Sequence, residues 1–211
     1  MNKLKRHIPV ALLIAALTAV VSVAAFAQGD DPPPSDSFAQ VTTIEADAQD
    51  AMEILEEERT TTDAMSTELS EPLDEQADWG MNPDLSRRSI GTISASVYIV
   101  PGDDHVCAAV ALTDSVSVIC PETEDIANGV AGPGVLGVGD GAVGVYGLVP
   151  DGVQSVTVET GESDSDVVNV EGNAYFIAFP AETPLRAVSY TGPSGWVEYP
   201  ISIPGEETSE E

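Results

Sequence analysis

The chain has 211 residues, a formal net charge of −29, and 36 acidic residues against seven lysines and arginines. Three of those cations lie in the first 27 residues, and the later chain has four arginines and no lysine. Such a surface repels phosphate backbones and anionic headgroups, which excludes nucleic-acid binding and electrostatic binding to a membrane surface. Without lysine, Schiff-base and lysine general-base chemistry are also excluded.

Residues 1–27 predict a secretory signal peptide. A basic start is followed by an apolar run from Ile8 to Phe26 and by small residues before a cleavage point near Ala27. The apolar run is about long enough to span a bilayer, so an uncleaved signal anchor is the alternative. In both cases the basic flank stays inside, and we expect a secreted or extracytoplasmic protein.

Residues 28–41 are rich in Pro, Asp and Ser, and we expect a disordered acidic linker. In the next stretch, residues 42–89, Thr42 and Glu45 have capping-box spacing. Four apolar residues recur there at helical intervals: Ile44, Ala48, Met52 and Leu55. The pattern predicts one amphipathic helix that ends near Arg59 and packs on its own domain, followed by an irregular or short-helical acidic segment.

Residues 90–203 change to a period of two, beginning with a strand in Ile-Ser-Ala-Ser-Val-Tyr-Ile that is expected to bury one face. Short β-prone runs are then separated by turn sequences such as Asp-Gly and Pro-Asp-Gly. This spacing predicts a mainly β fold, an antiparallel β-sandwich or barrel-like meander with a short N-terminal helical segment. Pro150-Asp151-Gly152 is interpreted as a bend, and residues 204–211 as a disordered acidic tail.

Two cysteines, Cys107 and Cys120, flank two β-prone runs that meet at residues 113–114. A hairpin centred there pairs Ala111 with Val116. The same register brings Cys107 opposite Cys120, and an exported protein can form disulfides. We therefore predict a cross-strand disulfide, worth about 3 kcal/mol in the chain-entropy model. The alternative is a reactive thiol pair, but the spacing is not C-x-x-C and no cation is near enough in sequence to activate a thiolate.

Several short motifs resemble a group of exported actinobacterial proteins of unassigned function. They are NPDLSRRS, SVYIVPGDDHVC, GLVPDGVQSVTV and VNVEGNAYF, with RTTTDAM near the start. The likeness covers most of residues 59–179. It implies a single exported domain to which the helical segment belongs, and it transfers no catalytic residue, cofactor or ligand.

Catalytic and nucleotide-binding patterns are poorly matched. A Ser-His-Asp hydrolase would have to use His105, but Asp103 and Asp104 are too close in sequence to orient its ring, and no G-x-S-x-G elbow occurs. The glycine-rich run near residue 140 is not placed between a strand and a helix, so no cofactor is predicted. Three C-terminal aromatic residues are expected to divide between the core and one exposed face: Tyr190, Trp196 and Tyr199.

A metal site would have to bind a hard cation such as calcium, because one histidine and a bridged cysteine pair cannot form a zinc site. The weak candidates are Glu162, Asp164 and Asp166, and Asp103-Asp104 is a second pair. Neither group has EF-hand spacing, and solvated turns carry such residues routinely, so no metal site is assigned.

The leading prediction is an exported acidic β domain that acts as a non-enzymatic interaction or structural module at the cell envelope, in contact with an envelope or extracellular protein. The alternatives are an extracytoplasmic hydrolase that uses carboxylates and a calcium-dependent adhesive domain.

Overall fold

The computed structural model describes five stretches of the chain: residues 42–74, 80–92, 95–113, 116–139 and 141–202. The predicted signal peptide, linker and C-terminal tail lie outside them. All five stretches fall within one unit of the chain, Asp36–Glu211. No helix in these stretches is long and apolar enough to cross a membrane.

The described residues form eleven strands and three short α-helices. The strands are β1 (Arg87–Gly91), β2 (Ser96–Pro101), β3 (Val106–Ala111), β4 (Val116–Ile119), β5 (Gly134–Val138), β6 (Ala142–Leu148), β7 (Ser155–Glu159), β8 (Ser165–Asn169), β9 (Ala174–Pro180), β10 (Ala187–Gly192) and β11 (Gly195–Pro200). The helices are α1 (Ala46–Ala51), α2 (Thr67–Asp74) and α3 (Thr123–Asn128), with 3-10 turns at Glu53–Leu55 and Pro83–Leu85.

The strands form three antiparallel sheets. We call them the cystine sheet (order β1-β2-β3-β4), the central sheet (β5-β6-β9) and the C-terminal sheet (β11-β10-β7-β8). All pairings between neighbouring strands are antiparallel. The predicted fold class, mainly β and sandwich-like, is confirmed.

A first hydrophobic core joins the cystine sheet to the central sheet. Val97 and Ile99 of β2 belong to it, as do Tyr146 and Leu148 of β6. Successive side chains of a strand point to opposite faces, so residues two apart reach the same core. The N-terminal helical segment completes this core, and Met52 is fully buried in it.

The opposite faces of the same strands are buried as well. Tyr98 and Val100 of β2 pack in a cluster with Leu73 of α2, whereas Val145 of β6 packs in another with Val188 of the C-terminal sheet. The prediction that the strand around β2 buries one face is therefore wrong. Its second face is covered because α2 packs against it.

The cystine hairpin has the predicted register. Ala111 pairs with Val116, and Cys107 and Cys120 are joined by a disulfide. The Sδ atom of Met81 lies 3.7 Å from the Sγ atom of Cys120, on the face of the cystine sheet that α2 covers. The second hairpin predicted at an Asp-Gly sequence is also present, with Gly141 at φ 73° between β5 and β6.

The N-terminal helical segment is short, as predicted, but the prediction that one helix continues to about Arg59 is wrong. Helix α1 spans only Ala46–Ala51, and Glu45 is its N-cap residue without a side-chain capping bond, so the Thr42 capping box does not form. Met52 is extended (φ −145°), and the 3-10 turn follows. The break follows from long-range contacts, because the N–H groups of Glu53 and Ile54 are bonded to side chains of the β domain and the Ala51 carbonyl to a backbone N–H there.

The stretch predicted as irregular or short-helical, residues 60–89, holds the short helix α2 and the beginning of β1. The first strand starts at Arg87, before the change to a period of two that the sequence shows at Ile90. A strand that opens on two arginines and a serine has no apolar alternation, and its hydrogen-bonding partner β2 determines it.

Candidate functional site

The predicted bend at residues 150–152 also anchors the helical segment. The Asp151 carboxylate accepts a hydrogen bond from the Glu53 N–H (2.7 Å), and the Asp151 N–H donates to the Ala51 carbonyl (3.3 Å). The bend itself is confirmed, with Gly152 at φ 84°. Asp151 is therefore a structural contact as well as a turn residue.

Asn173 completes this contact from the β8–β9 connection. Its amide nitrogen donates to the Asp151 carboxylate (2.8 Å) and to the Val149 carbonyl (3.2 Å), and its amide oxygen accepts from the Ile54 N–H (3.3 Å). The side chain is 8% exposed and the residue has φ 63°, a left-handed conformation that asparagine tolerates. We call Asp151 and Asn173 the backbone clamp.

A second buried polar network is centred on Asp63. Its carboxylate accepts from the Arg88 N–H (2.9 Å) and from the hydroxyl and N–H of Thr60, and Ser86 donates to the Asp63 carbonyl. Burial favours a higher pKa for Asp63, but the hydrogen bonds and the nearby Arg87 charge outweigh it and lower the pKa below its usual value.

The Arg87 side chain is 8% exposed and is bound by carbonyl groups. It donates to the Glu57 carbonyl from two nitrogens (2.9 and 3.1 Å) and to the Leu85 carbonyl (2.8 Å). The residues of the two networks lie in four of the motifs that carry the resemblance: RTTTDAM, NPDLSRRS, GLVPDGV and EGN. Their hydrogen bonds join residues 51–63 to the strands and turns of the β domain.

An acidic pocket of about 570 Å³ lies where the starts of α1 and α3 meet the loop that precedes β3. Its lining includes six carboxylates: Glu45, Asp47, Asp50, Asp104, Glu122 and Glu124. Carboxylate oxygens of Glu45, Asp103 and Asp104 come within 4.8 Å of one another, the one three-residue group of this kind among the described residues. All three are exposed, and exposed acidic groups commonly converge without an ion.

The weak calcium candidates Glu162, Asp164 and Asp166 lie elsewhere, in the hairpin between β7 and β8. Glu162 forms an ion pair with Arg186 (3.9 Å), and all three acidic residues are exposed. The second pair considered, Asp103-Asp104, is the one whose carboxylates converge with a third. Glu45, from a distant part of the chain, is the member of that group that the sequence did not suggest.

The ring of His105 contacts a backbone carbonyl. Its Nδ1 lies 2.8 Å from the Asp103 carbonyl oxygen, and because a carbonyl only accepts, the ring nitrogen donates. This contact is local and involves the peptide group of Asp103, whereas a catalytic triad needs a carboxylate at that position.

Three tyrosines lie in the core between the central and C-terminal sheets. The hydroxyls of Tyr190 (3.0 Å) and Tyr199 (2.8 Å) both donate to the Gly129 carbonyl, at the end of α3. Burial, with the nearby Tyr199, raises the pKa of Tyr190 to about 12, and burial also raises the pKa of Tyr175. Trp196 lies on the other face of the sheet and is 66% exposed.

Among the described strands, β8 pairs only with β7, so it forms the open edge of the C-terminal sheet. The Thr160 N–H bonds to the Asp164 carbonyl and the Val170 N–H to the Gln154 carbonyl, each at 2.9 Å. Hydrogen-bonded and non-bonded pairs alternate in an antiparallel ladder. The backbone N–H and C=O groups of three β8 residues therefore point away from β7: Ser165, Val167 and Asn169.

The side chains of β8 are exposed too. Val167 is 70% exposed, and only Val168 in this strand is buried, in the core shared with the central sheet. The open backbone and the apolar side chain lie at the same position. The sequence run that forms this edge is Ser-Asp-Ser-Asp-Val-Val-Asn. It combines polar and apolar residues, and from the sequence alone only its carboxylates are considered, as weak candidates for a cation site.

Comparison of the chain with protein-family models, curated proteins and solved structures gave no match. The resemblance to exported actinobacterial proteins stays a prediction.

Proposed function

We propose that the chain is an exported, non-enzymatic module that acts by binding an envelope or extracellular protein. The observation that carries this proposal is the open edge of β8, where backbone groups with no partner among the described residues lie beside the exposed Val167. An extended segment of another protein can add to such an edge through main-chain hydrogen bonds.

Export is part of the proposal. The Cys107–Cys120 disulfide fits an extracytoplasmic protein, where thiols are oxidised. The basic and apolar N-terminus supports a signal peptide cleaved near Ala27, which leaves a secreted protein; the uncleaved form would be tethered to the membrane. The acidic surface favours solubility in either location.

The test is affinity capture with the chain recovered after export, immobilised and incubated with the envelope fraction and culture medium of its source. The informative variant is Val167→Pro. The Val167 N–H points away from β7, so proline there removes a donor from the open edge and none from the ladder. We expect at least one protein to be retained by the parent chain and lost with the variant.

A matched control exists at the other edge of the same sheet. The Ile201 N–H bonds to the Arg186 carbonyl (2.7 Å), so by the same alternation the Glu198 N–H of β11 points outward. Glu198→Pro should leave capture unchanged. Retention of the same proteins by Val167→Pro, or of none by the parent chain, contradicts the proposal.

The calcium-dependent adhesive domain is the second candidate, favoured by the convergence of Glu45, Asp103 and Asp104. A calcium ion bound there would stabilise the native state and raise the melting temperature. An unchanged melting temperature in millimolar calcium and in chelator removes this candidate. The carboxylate-dependent hydrolase stays a prediction.

A further inference from the structure

We infer that the segment bound at β8 is an extended, basic stretch of another protein in which lysine or arginine alternates with β-branched apolar residues. This inference rests on the proposed function and adds the chemistry of the partner. It follows from the backbone, the side-chain alternation and the charges of one hairpin, residues 155–169.

The backbone of β8 is better suited to accept a strand than the other edges. Ser165, Val167 and Asn169 offer three outward N–H groups at alternate positions, whereas β11 ends at Pro200, which has none. In the cystine sheet, β1 has a register shift between Arg88 and Ile90, and β4 has only four residues. Strand β8 contacts β9, as β1 does, but it pairs with no described strand on that side. Strand β8 thus presents the longest regular row of donors and acceptors among these edges.

The side chains of β8 favour a partner strand in which apolar and cationic side chains alternate. Val167 lies on the solvent face of the C-terminal sheet, in register with Thr157 of β7. Asp166 points to the other face, like Val168, but at the exposed rim of the sheet. An added strand would therefore place apolar side chains beside Val167 and, one residue along, cationic side chains beside Asp166.

The charges of the hairpin favour a basic partner. Residues 155–169 contain four carboxylates and no cation: Glu159, Glu162, Asp164 and Asp166. Arg186 pairs with Glu162, which leaves Asp164 and Asp166 exposed beside the edge. Opposite charges on neighbouring strands stabilise a pairing, and like charges destabilise it.

The same charges argue against a second copy of this chain as the occupant. Edge-to-edge pairing of two copies would bring eight hairpin carboxylates together, on chains that each carry 36 acidic residues. Charged residues beside an exposed edge are a common way in which proteins prevent self-association. The hairpin therefore disfavours its own copy and favours a cationic strand.

The experiment measures binding of the exported chain to three synthetic peptides of about eight residues, a typical strand length. One alternates valine with lysine, the second valine with glutamine and the third valine with glutamate. We expect the lysine peptide to bind at least about tenfold more tightly than the glutamine peptide, less tightly as salt rises, and the glutamate peptide not to bind. In heteronuclear NMR spectra, the amide signals of Ser165, Val167 and Asn169 should shift and become protected from exchange.

Variants distinguish binding at the edge of β8 from nonspecific attraction by the acidic surface. Val167→Pro should abolish binding of the lysine peptide, and Glu198→Pro should not. The double variant Asp164→Asn with Asp166→Asn changes two exposed residues and leaves the ladder intact, and it should weaken binding about tenfold. The control is Glu45→Gln with Asp47→Asn, which makes the same charge change at the acidic pocket and should have no effect on binding. The double Asn variant also provides the test if Val167→Pro does not fold.

The inference of a basic partner is overturned if the two charge-changing variants weaken peptide binding equally. It is also overturned if the lysine and glutamine peptides bind with equal affinity. If protein capture still depends on Val167 in that case, the proposed function stands and only the partner chemistry fails. Concentration-dependent dimers that Val167→Pro abolishes would identify a second copy as the occupant, which also overturns the inference.

Discussion

The cystine sheet and the C-terminal sheet are built from similar β-prone runs, but they differ in what covers them. All six residues of β3 are buried, because the central sheet packs on one face and α2 on the other, and a disulfide joins β3 to the end of β4. In the C-terminal sheet, β11 alternates between half-buried and exposed residues and β8 buries a single side chain. The cystine sheet is thus covered on both faces, whereas the C-terminal sheet leaves the outer face of its two edge strands exposed.

The largest expected effect is a cavity in the cystine sheet. Ile99 is fully buried in the first core, so Ile99→Ala should lower the free energy of unfolding by about 4 kcal/mol, as other large-to-small core changes do. Val167→Ala in β8 should change it by less than about 0.5 kcal/mol, as exposed positions do. Urea unfolding of both variants measures the difference, and similar losses would contradict the contrast between the sheets.

Removal of the disulfide tests how much of this stability is covalent. Cys107→Ala with Cys120→Ala opens a loop with a sequence separation of 13, which the chain-entropy model values at about 3 kcal/mol. The midpoint of urea unfolding should fall accordingly. Reduction of the parent chain should reproduce the loss, and a variant as stable as the parent would show that the sheet holds without its cross-link.

The backbone clamp comes next, because it joins the helical segment to the sheets. Asn173→Ala leaves the Ile54 N–H without its buried acceptor and places alanine at φ 63°, for an expected loss of about 2 kcal/mol. Asn173→Gly relieves the backbone strain and not the lost bonds, so it should recover part of the loss. Faster hydrogen exchange of residues 46–55 should accompany both changes, and unchanged exchange there would exclude the clamp as their anchor.

The smallest effect is the pH dependence due to Asp63. Its pKa is lower in the folded state than its ordinary value of 3.8, so its stabilising contribution is complete above that value and is lost as pH falls through the folded pKa. Asp63→Asn should therefore reduce the loss of stability that sets in as the pH falls to 3.8 and below, and it should leave the profile near neutral pH with the same slope. A profile unchanged by this substitution would assign the acid sensitivity to other carboxylates.

Local patterns in the sequence predict the parts of the fold that depend on neighbours along the chain. The hairpin register follows from the runs on either side of residues 113–114, and the β class follows from alternation and turns. The end of helix α1 is different. Just after it, the Glu53 N–H bonds to Asp151, 98 residues away, and no local sequence pattern predicts that contact. Strand β1 and the acidic pocket escaped prediction for the same reason, because both depend on residues distant in sequence.

The open edge of β8 could be predicted from the sequence only in part. Its carboxylates Glu162, Asp164 and Asp166 stand out in the sequence, but the sequence makes them only weak candidates for a cation site, and no metal site is assigned to them. What the sequence does not contain is the order of strands, which places β8 at the edge of its sheet, where β7 is its one pairing partner among the described strands. The functional interpretation of the same residues therefore changes once the topology is known.

The backbone clamp holds peptide groups and no side chains of the helical segment. Glu53 and Ile54 are bound through their N–H groups, and Ala51 through its carbonyl, so any residue except proline at 53 or 54 offers the same donors. Sequence drift on the solvent side of α1, which contributes Asp47 and Asp50 to the acidic pocket, would leave the attachment intact. Evolution can thus alter the charge of that surface without altering the scaffold beneath it.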